Sequence, residues 1–283
     1  MTHSILITQC LQNDFVKPIG PYDSLPNIMH IGHQEARRLM GEDPTTGPVS
    51  RIIQWAYAHP ENELSIVHIR DWHDPDDPFQ KAHLDTFGPH CIRETDGSEF
   101  AFDIPSTKRQ EAVFNAISIN DFVGTTLSEY LQRFSNRPVR VGLMGVWTEA
   151  KIGFLAYELH TRYPNMQIGV CFALTGRSSR AGHFFALDQI RKILGVTVFD
   201  SIRDFTSFLA DDPADITLPV PLSTDLPKIE FEEEGDIDQI HDVDLTLLRY
   251  LFRDCRSVKF KALTGGFSGN LVLGTESVDL HGI

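Results

Sequence analysis

The sequence has no apolar run near the roughly 18 residues a membrane helix needs, no basic excess, and no closely spaced cysteine pair. The first lack argues against a membrane partner. Lys and Arg number 25 against 39 Asp and Glu, for a formal charge of −14. Phosphate neutralisation needs a basic face, so this balance argues against nucleic acid as a partner. Met1-Thr2-His3-Ser4 carries no basic stretch ahead of Ile5-Leu6-Ile7, and that apolar run is too short for a secretion signal. Cys10, Cys91, Cys171 and Cys255 are scattered, without a C-x-x-C pair. Free thiols in a cytoplasmic protein are therefore expected, rather than disulfides.

What is present is an ordinary apolar content of 41 % over 283 residues, enough for one large domain or two smaller ones. Strand patterns fall at 4–9, 64–69, 139–146, 166–172 and 196–199. Helical patterns fall at 51–58, 126–134, 149–163 and 182–194. In the helix over 149–163, Ile152, Leu155, Ala156 and Leu159 share one face. Such alternation predicts an α/β fold of three layers, α-β-α, around a doubly wound, mostly parallel sheet. Ligands bind such sheets at the carboxyl ends of the strands, which directs attention to the loops after Gln9, Ile69 and Gly145. A first domain is predicted over residues 1–210. Residues 211–241, with prolines and a Glu-Glu-Glu run, read as an acidic linker. Residues 242–283 read as a small α+β tail: a helix at 245–252 and strands at 257–263 and 270–274.

The first chemical cluster follows the strand at 64–69. Asp71-Trp72-His73 is followed seventeen residues later by Gly88-Pro89-His90-Cys91. One carboxylate and two imidazoles suit a divalent metal such as zinc, with manganese and iron also open. A hydrogen-bonded Asp–His pair on a loop would use the same residues, and His83 and Cys91 are rival ligands. His68, inside the strand, reads as a hydrogen-bonded core histidine.

The same segment resembles the nicotinamidase branch of the isochorismatase-like cysteine hydrolases. DWHDP, FGPHCI and RETDGSEF follow one another from Asp71 to Phe100, in the order of that branch's Asp-Trp-His-Pro, Trp-Pro-x-His-Cys-Val and Gly-Thr-x-Gly-Ala-Glu. ILITQCLQNDF is similar to the family's first strand, with Gln12, Asn13, Asp14 and Phe15 matching. NDFVGTTLSEYL, the turn Gly145-Val146-Trp147-Thr148 and ALTGRSSRAGHFFAL continue the likeness, which covers residues 5–202. The resemblance implies a self-associating hydrolase that attacks an amide or vinyl ether with a Cys, an Asp and a Lys. In this branch it also implies a metal held by Asp71, His73 and His90. Phe15, Val146 and Trp147 are expected to line the ligand pocket.

The catalytic positions depart from that pattern. Cys10 stands where the family has its Asp. Lys151 stands where it has the nucleophilic Cys, three residues after the Thr of the cis-peptide turn. The family Lys falls at Ala116 or the adjoining Asn115, and Lys108 lies out of register. A cation at a helix start is disfavoured, and an ammonium offers no acceptor for a proton. Loss of the whole triad predicts that the usual route is absent. The main expectation is a degenerate hydrolase that binds a small-molecule ligand or a partner and forms a homo-oligomer. One alternative is an active metal-assisted amide hydrolase with a rewired Cys10–Lys151 pair, the ammonium lowering the thiol pKa. Another is a scaffold acting through its tail. There, Leu263-Thr264-Gly265-Gly266-Phe267-Ser268-Gly269 reads as a hairpin turn. It also has some similarity to a kinase-like glycine loop, which would make the tail the opening of a second domain in a longer chain.

Overall fold

Seven consecutive buried residues, His3–Gln9, form β1. A strand covered on both faces needs such an unbroken run, which marks it as central in a parallel sheet. The computed structural model describes residues 2–107, 109, 112–216, 227–232, 240–262 and 273–279, in two compact units, Met1–Ile216 and Thr217–Ile283.

In the first unit β1 is followed by β2 (Leu64–Asp71), β3 (Ala112–Ala116), β4 (Val139–Gly145), β5 (Met166–Thr175) and β6 (Thr197–Phe199). They form one sheet in the order β3-β2-β1-β4-β5-β6, parallel throughout. Chain order reverses beside β1, so the carboxyl ends of β1, β2 and β4 open on one crevice. The flanking helices are α1 (Asn13–Val16), α2 (Gly32–Met40), α3 (Pro48–Ala58), α4 (Lys81–Phe87), α5 (Leu127–Gln132), α6 (Gly153–Arg162), α7 (Arg180–Lys192) and α8 (Ile202–Leu209). Local chemistry sets several boundaries. Pro48 opens α3, where a missing N–H costs nothing. Ser179 and Ser201 cap α7 and α8 by accepting from the amides of Gly182 and Asp204.

The expected fold class is present. The helix expected over 149–163 instead starts with a π turn, Thr148–Ile152, and becomes α-helical at Gly153. Residues 211–216 remain with the first unit: the Trp55 indole donates to the Asp212 carbonyl at 2.9 Å, and the Ala214 amide to Thr206 Oγ1 at 3.1 Å.

His68 is the core histidine its strand position suggested. Thr8 Oγ1 lies 2.7 Å from its Nδ1 and the Tyr57 hydroxyl 3.0 Å from its Nε2. Burial depresses its pKa to about 3. An unfolded chain takes up this proton below about pH 6.5, the native state only near 3, so stability is lost as pH falls through that window. The expected slope from this residue is about 1.4 kcal/mol per pH unit. Urea midpoints measured from pH 7 to 4 should fall less steeply in His68→Gln than in the wild type.

The second unit holds β7 (Lys228–Phe231), α9 (Asp242–Leu251), β8 (Cys255–Ala262) and β9 (Leu273–Asp279). β8 pairs with β7 in parallel and with β9 antiparallel. Within the segment 211–241, Ile229 and Phe231 on β7 pack against a core of Phe252, Cys255, Val258 and Phe260. Of the strand expected at 270–274, residues 273 and 274 belong to β9, and 270–272 lie outside the described residues. The glycine-rich segment 263–269 and Lys108 lie outside the described residues. No helix among the described residues is long and apolar enough to cross a membrane.

Candidate metal centre and altered catalytic pocket

Parallel register brings the strand ends together: Gln9 is level with Ile69 and Gly145, and Asp71 with Ala116. The Gln-Asn-Asp stretch after β1 then braces the loops that follow β2. Gln12 Oε1 accepts from the Asp71 amide at 2.7 Å, and its Nε2 donates to the Asp71 and Ser98 carbonyls. Asn13 donates to the Asp96 carbonyl at 2.8 Å, and Asp14 Oδ2 accepts from the Cys91 amide at 2.6 Å. These side chains fix where Asp71 leaves the sheet and where His90 re-enters.

Asp71, His73, His83 and His90 each offer one ligand atom within 4.8 Å of the others. Asp71 Oδ2 lies 3.7 Å from His73 Nε2 and 3.8 Å from His90 Nε2. The imidazole tautomers follow from their outer partners. Gln80 Nε2 donates to Asp77 Oδ2, and Gln80 Oε1 accepts from the Asp74 amide, so the same oxygen accepts from His73 Nδ1–H at 2.9 Å. The Gly88 carbonyl accepts from His90 Nδ1–H at 2.7 Å. Both Nε2 lone pairs are thereby turned inward, an arrangement that orients imidazoles on metals. His73 Nε2 is buried without a hydrogen-bond partner. His83 Nε2 and His90 Nε2 stand 3.4 Å apart, close to the roughly 3.3 Å that separates two nitrogens on a tetrahedral zinc. Burial lowers the pKa of His90 and, with His73 nearby, brings His83 to about 4. The donor set and the orphaned nitrogen fit a divalent cation. Cys91, the other rival ligand, turns away, its thiol 3.8 Å from the Gly97 carbonyl.

Beside this cluster lie Lys151 and Cys10. Lys151, 3 % exposed, donates to Asp71 Oδ1 at 2.6 Å, the Ser118 carbonyl at 2.8 Å and Asp121 Oδ1 at 2.9 Å. Its three ammonium hydrogens are thus used, and none goes to Cys10. The Cys10 thiol contacts the Gln9 amide at 3.1 Å and Asp71 Oδ1 at 3.5 Å. Lys151 does pull the Cys10 pKa down, as expected, but it does not prevail. Burial and the Asp71 charge push the thiol well up and outweigh Lys151. Burial pushes the Asp71 carboxyl up as well, but Lys151 and His73 hold it below the usual range. Burial also pulls the Lys151 ammonium down, and Asp121 and Asp71 more than reverse this. Asp121 shares that ammonium, and for it burial prevails and raises the carboxyl.

Cys10, Asp71, His73, His90 and Lys151 thus occur together. Ala116 ends β3, buried and level with Asp71, without functional atoms. Phe15 packs edge-on to Trp147, ring centroids 4.6 Å apart, and against His90 at 5.5 Å. A Cβ placed on Gly176 would meet both Val146 Cγ1 and Leu39, so the Val146 side chain faces α2. The Val146–Trp147 peptide is cis. Sequence reasoning missed Asp121 and Gln80. Asp121 lies in the NDF stretch of a segment read only for its likeness, and Gln80 in a loop without a pattern.

No protein-family model and no curated protein matches the chain. Solved structures do. A pyrazinamidase/nicotinamidase from Streptococcus mutans superposes with a TM-score of 0.55 at 22% identity, over 69% of this chain and 99% of that one. An isochorismatase-like hydrolase from Alkaliphilus metalliredigens gives 0.53 at 20% identity, over 70% and 94%. A pyrazinamidase of Pyrococcus horikoshii in complex with zinc gives 0.51 at 20% identity, over 70% and 98%. Identities at this level speak for architecture, and the chain carries the fold of the isochorismatase-like hydrolases, nicotinamidases and pyrazinamidases among them, with a C-terminal three-stranded sheet added.

Proposed function

We propose that this protein is a degenerate hydrolase: a metal-binding, isochorismatase-like domain that holds a small-molecule ligand and has lost cleavage by the usual triad. The carrying observation is the Lys151 ammonium, saturated by Asp71, Ser118 and Asp121 at a position where the resemblance implies a nucleophilic cysteine. Nucleophilic attack by cysteine needs a thiolate, whereas Cys10 is fully buried and kept as a thiol. Asp71, His73, His83 and His90 would hold the metal, and the Pyrococcus horikoshii structure in complex with zinc supports zinc as the first candidate. A bound divalent cation would supply Lewis acidity towards a polar atom of the ligand. Phe15 and Trp147 would offer it an aromatic wall. The acidic balance of the chain also favours a small molecule over nucleic acid. Self-association follows from the resemblance alone, and light scattering tests it.

Incubation with nicotinamide and pyrazinamide, with and without chelator, tests the reading. The expected result is no ammonia release above the uncatalysed rate, together with one zinc per chain that is lost in His73→Ala. Cys10 should also react with iodoacetamide far more slowly than a free thiol. A second reading, metal-assisted hydrolysis with a rewired Cys10–Lys151 pair, draws support from the 3.5 Å contact between the thiol and Asp71 Oδ1, an acceptor for its proton. Ammonia release that disappears in Cys10→Ser would establish that reading and overturn the first.

A further inference from the structure

The Asp71 carboxylate faces two ways. Oδ1 accepts from Lys151 at 2.6 Å, and Oδ2 is the oxygen near His73 and His90, at 3.7 and 3.8 Å. A carboxylate shares its charge between both oxygens, so a cation held on one draws charge from the other. Asp71, Lys151 and Asp121 are each at most 3 % exposed, and charges so far from solvent are poorly screened. A fixed ammonium there opposes a second cation on the same carboxylate, while Asp121, on the same ammonium at 2.9 Å, offsets part of that opposition.

We propose that Lys151 and Asp121 form a charge pair that sets the metal affinity of the neighbouring centre, Lys151 weakening it and Asp121 restoring it. This rests on the metal-binding reading above and adds what regulates that site. The pair acts through Asp71, so both are positioning residues. Its consequence is a pocket that contains its own cation and does not depend on a metal to balance Asp71.

The test is titration of the full 283-residue chain with zinc and with manganese, in competition with a chromophoric chelator. Lys151→Met should lower Kd by about tenfold or more, and Asp121→Asn should raise it by a comparable factor. The double variant should return close to the wild type. A merely structural role predicts otherwise, because each single change breaks the same ion pair and would shift Kd in the same direction. Shifts of equal sign, or none, overturn the proposal. Should Lys151→Met not fold, Lys151→Gln takes its place beside Asp121→Asn, since glutamine removes the charge and keeps a donor for the carboxylates, and the opposite signs are still required. Asp71→Asn separates the two claims: loss of binding there upholds the metal reading whatever the charge variants do. Binding unaffected by Asp71→Asn, or no binding by the wild type, overturns both.

Discussion

Lys151→Met is expected to lower the unfolding free energy of the metal-free protein by about 3–5 kcal/mol, the usual cost of removing one partner from a buried ion pair. The methionine fits the space of the lysine stem but leaves Asp71 and Asp121 facing each other without a cation, both nearly inaccessible to water. Uncompensated buried charge, rather than lost packing, carries the effect. Lys151→Met with Asp121→Asn should therefore recover part of the loss, since one carboxylate then remains instead of two. Urea unfolding in chelator, comparing the single and double variants, measures both. A double variant as damaged as the sum of its parts would show that Lys151 matters for its packing.

Gly145→Ala should be more damaging still, above about 4 kcal/mol, with loss of soluble protein as the expected outcome. Gly145 ends β4 at φ 126°, and a Cβ built there would stand 2.0 Å from the Gln9 carbonyl oxygen. That oxygen accepts from the Val146 amide at 3.0 Å, and the Gly145 carbonyl accepts from the Gly176 amide at 2.9 Å. Relieving the clash would separate β1 from β4 at the point where Cys10 and the turn to Lys151 leave the sheet. Gly195 is the control: it too has positive φ, 65°, but nothing lies within 4 Å of its Cβ direction. Gly195→Ala should cost only about 1 kcal/mol, from the backbone conformation alone. Equal effects in thermal melts of the two variants would show that contact with Gln9 is not the cause.

Most strands of the central sheet were legible because burial on both faces demands continuous apolar runs, as in Ile5-Leu6-Ile7 and in residues 141–145. Other elements of the same unit were not, β3 and α2 among them. β3 reads Ala-Val-Phe-Asn-Ala, too short to carry a pattern, and its extended form comes from pairing with β2. α2 has only a short apolar stripe, Ala36, Leu39 and Met40, set among Glu35, Arg37 and Arg38. It is buried because Arg38 reaches the Ala173 and Thr175 carbonyls while Glu35 pairs with Arg38 and Arg177. Composition misled at 228–231, where charges around Ile229 and Phe231 read as linker although the two apolar residues alternate as a strand requires.

At the site, the sequence by itself determined which donors exist: the Asp-x-His pair, the later His90, Cys10 and Lys151. Periodicity and spacing carry that much, because they depend on neighbours along the chain. Only the tertiary structure decided that His83 joins the imidazoles, that Asp121 meets Lys151 across 30 residues, and that Cys10 is left with a carboxylate instead of a cation. Those outcomes depend on distances and burial between segments remote in sequence, and a buried charge takes whichever partner the fold brings within reach.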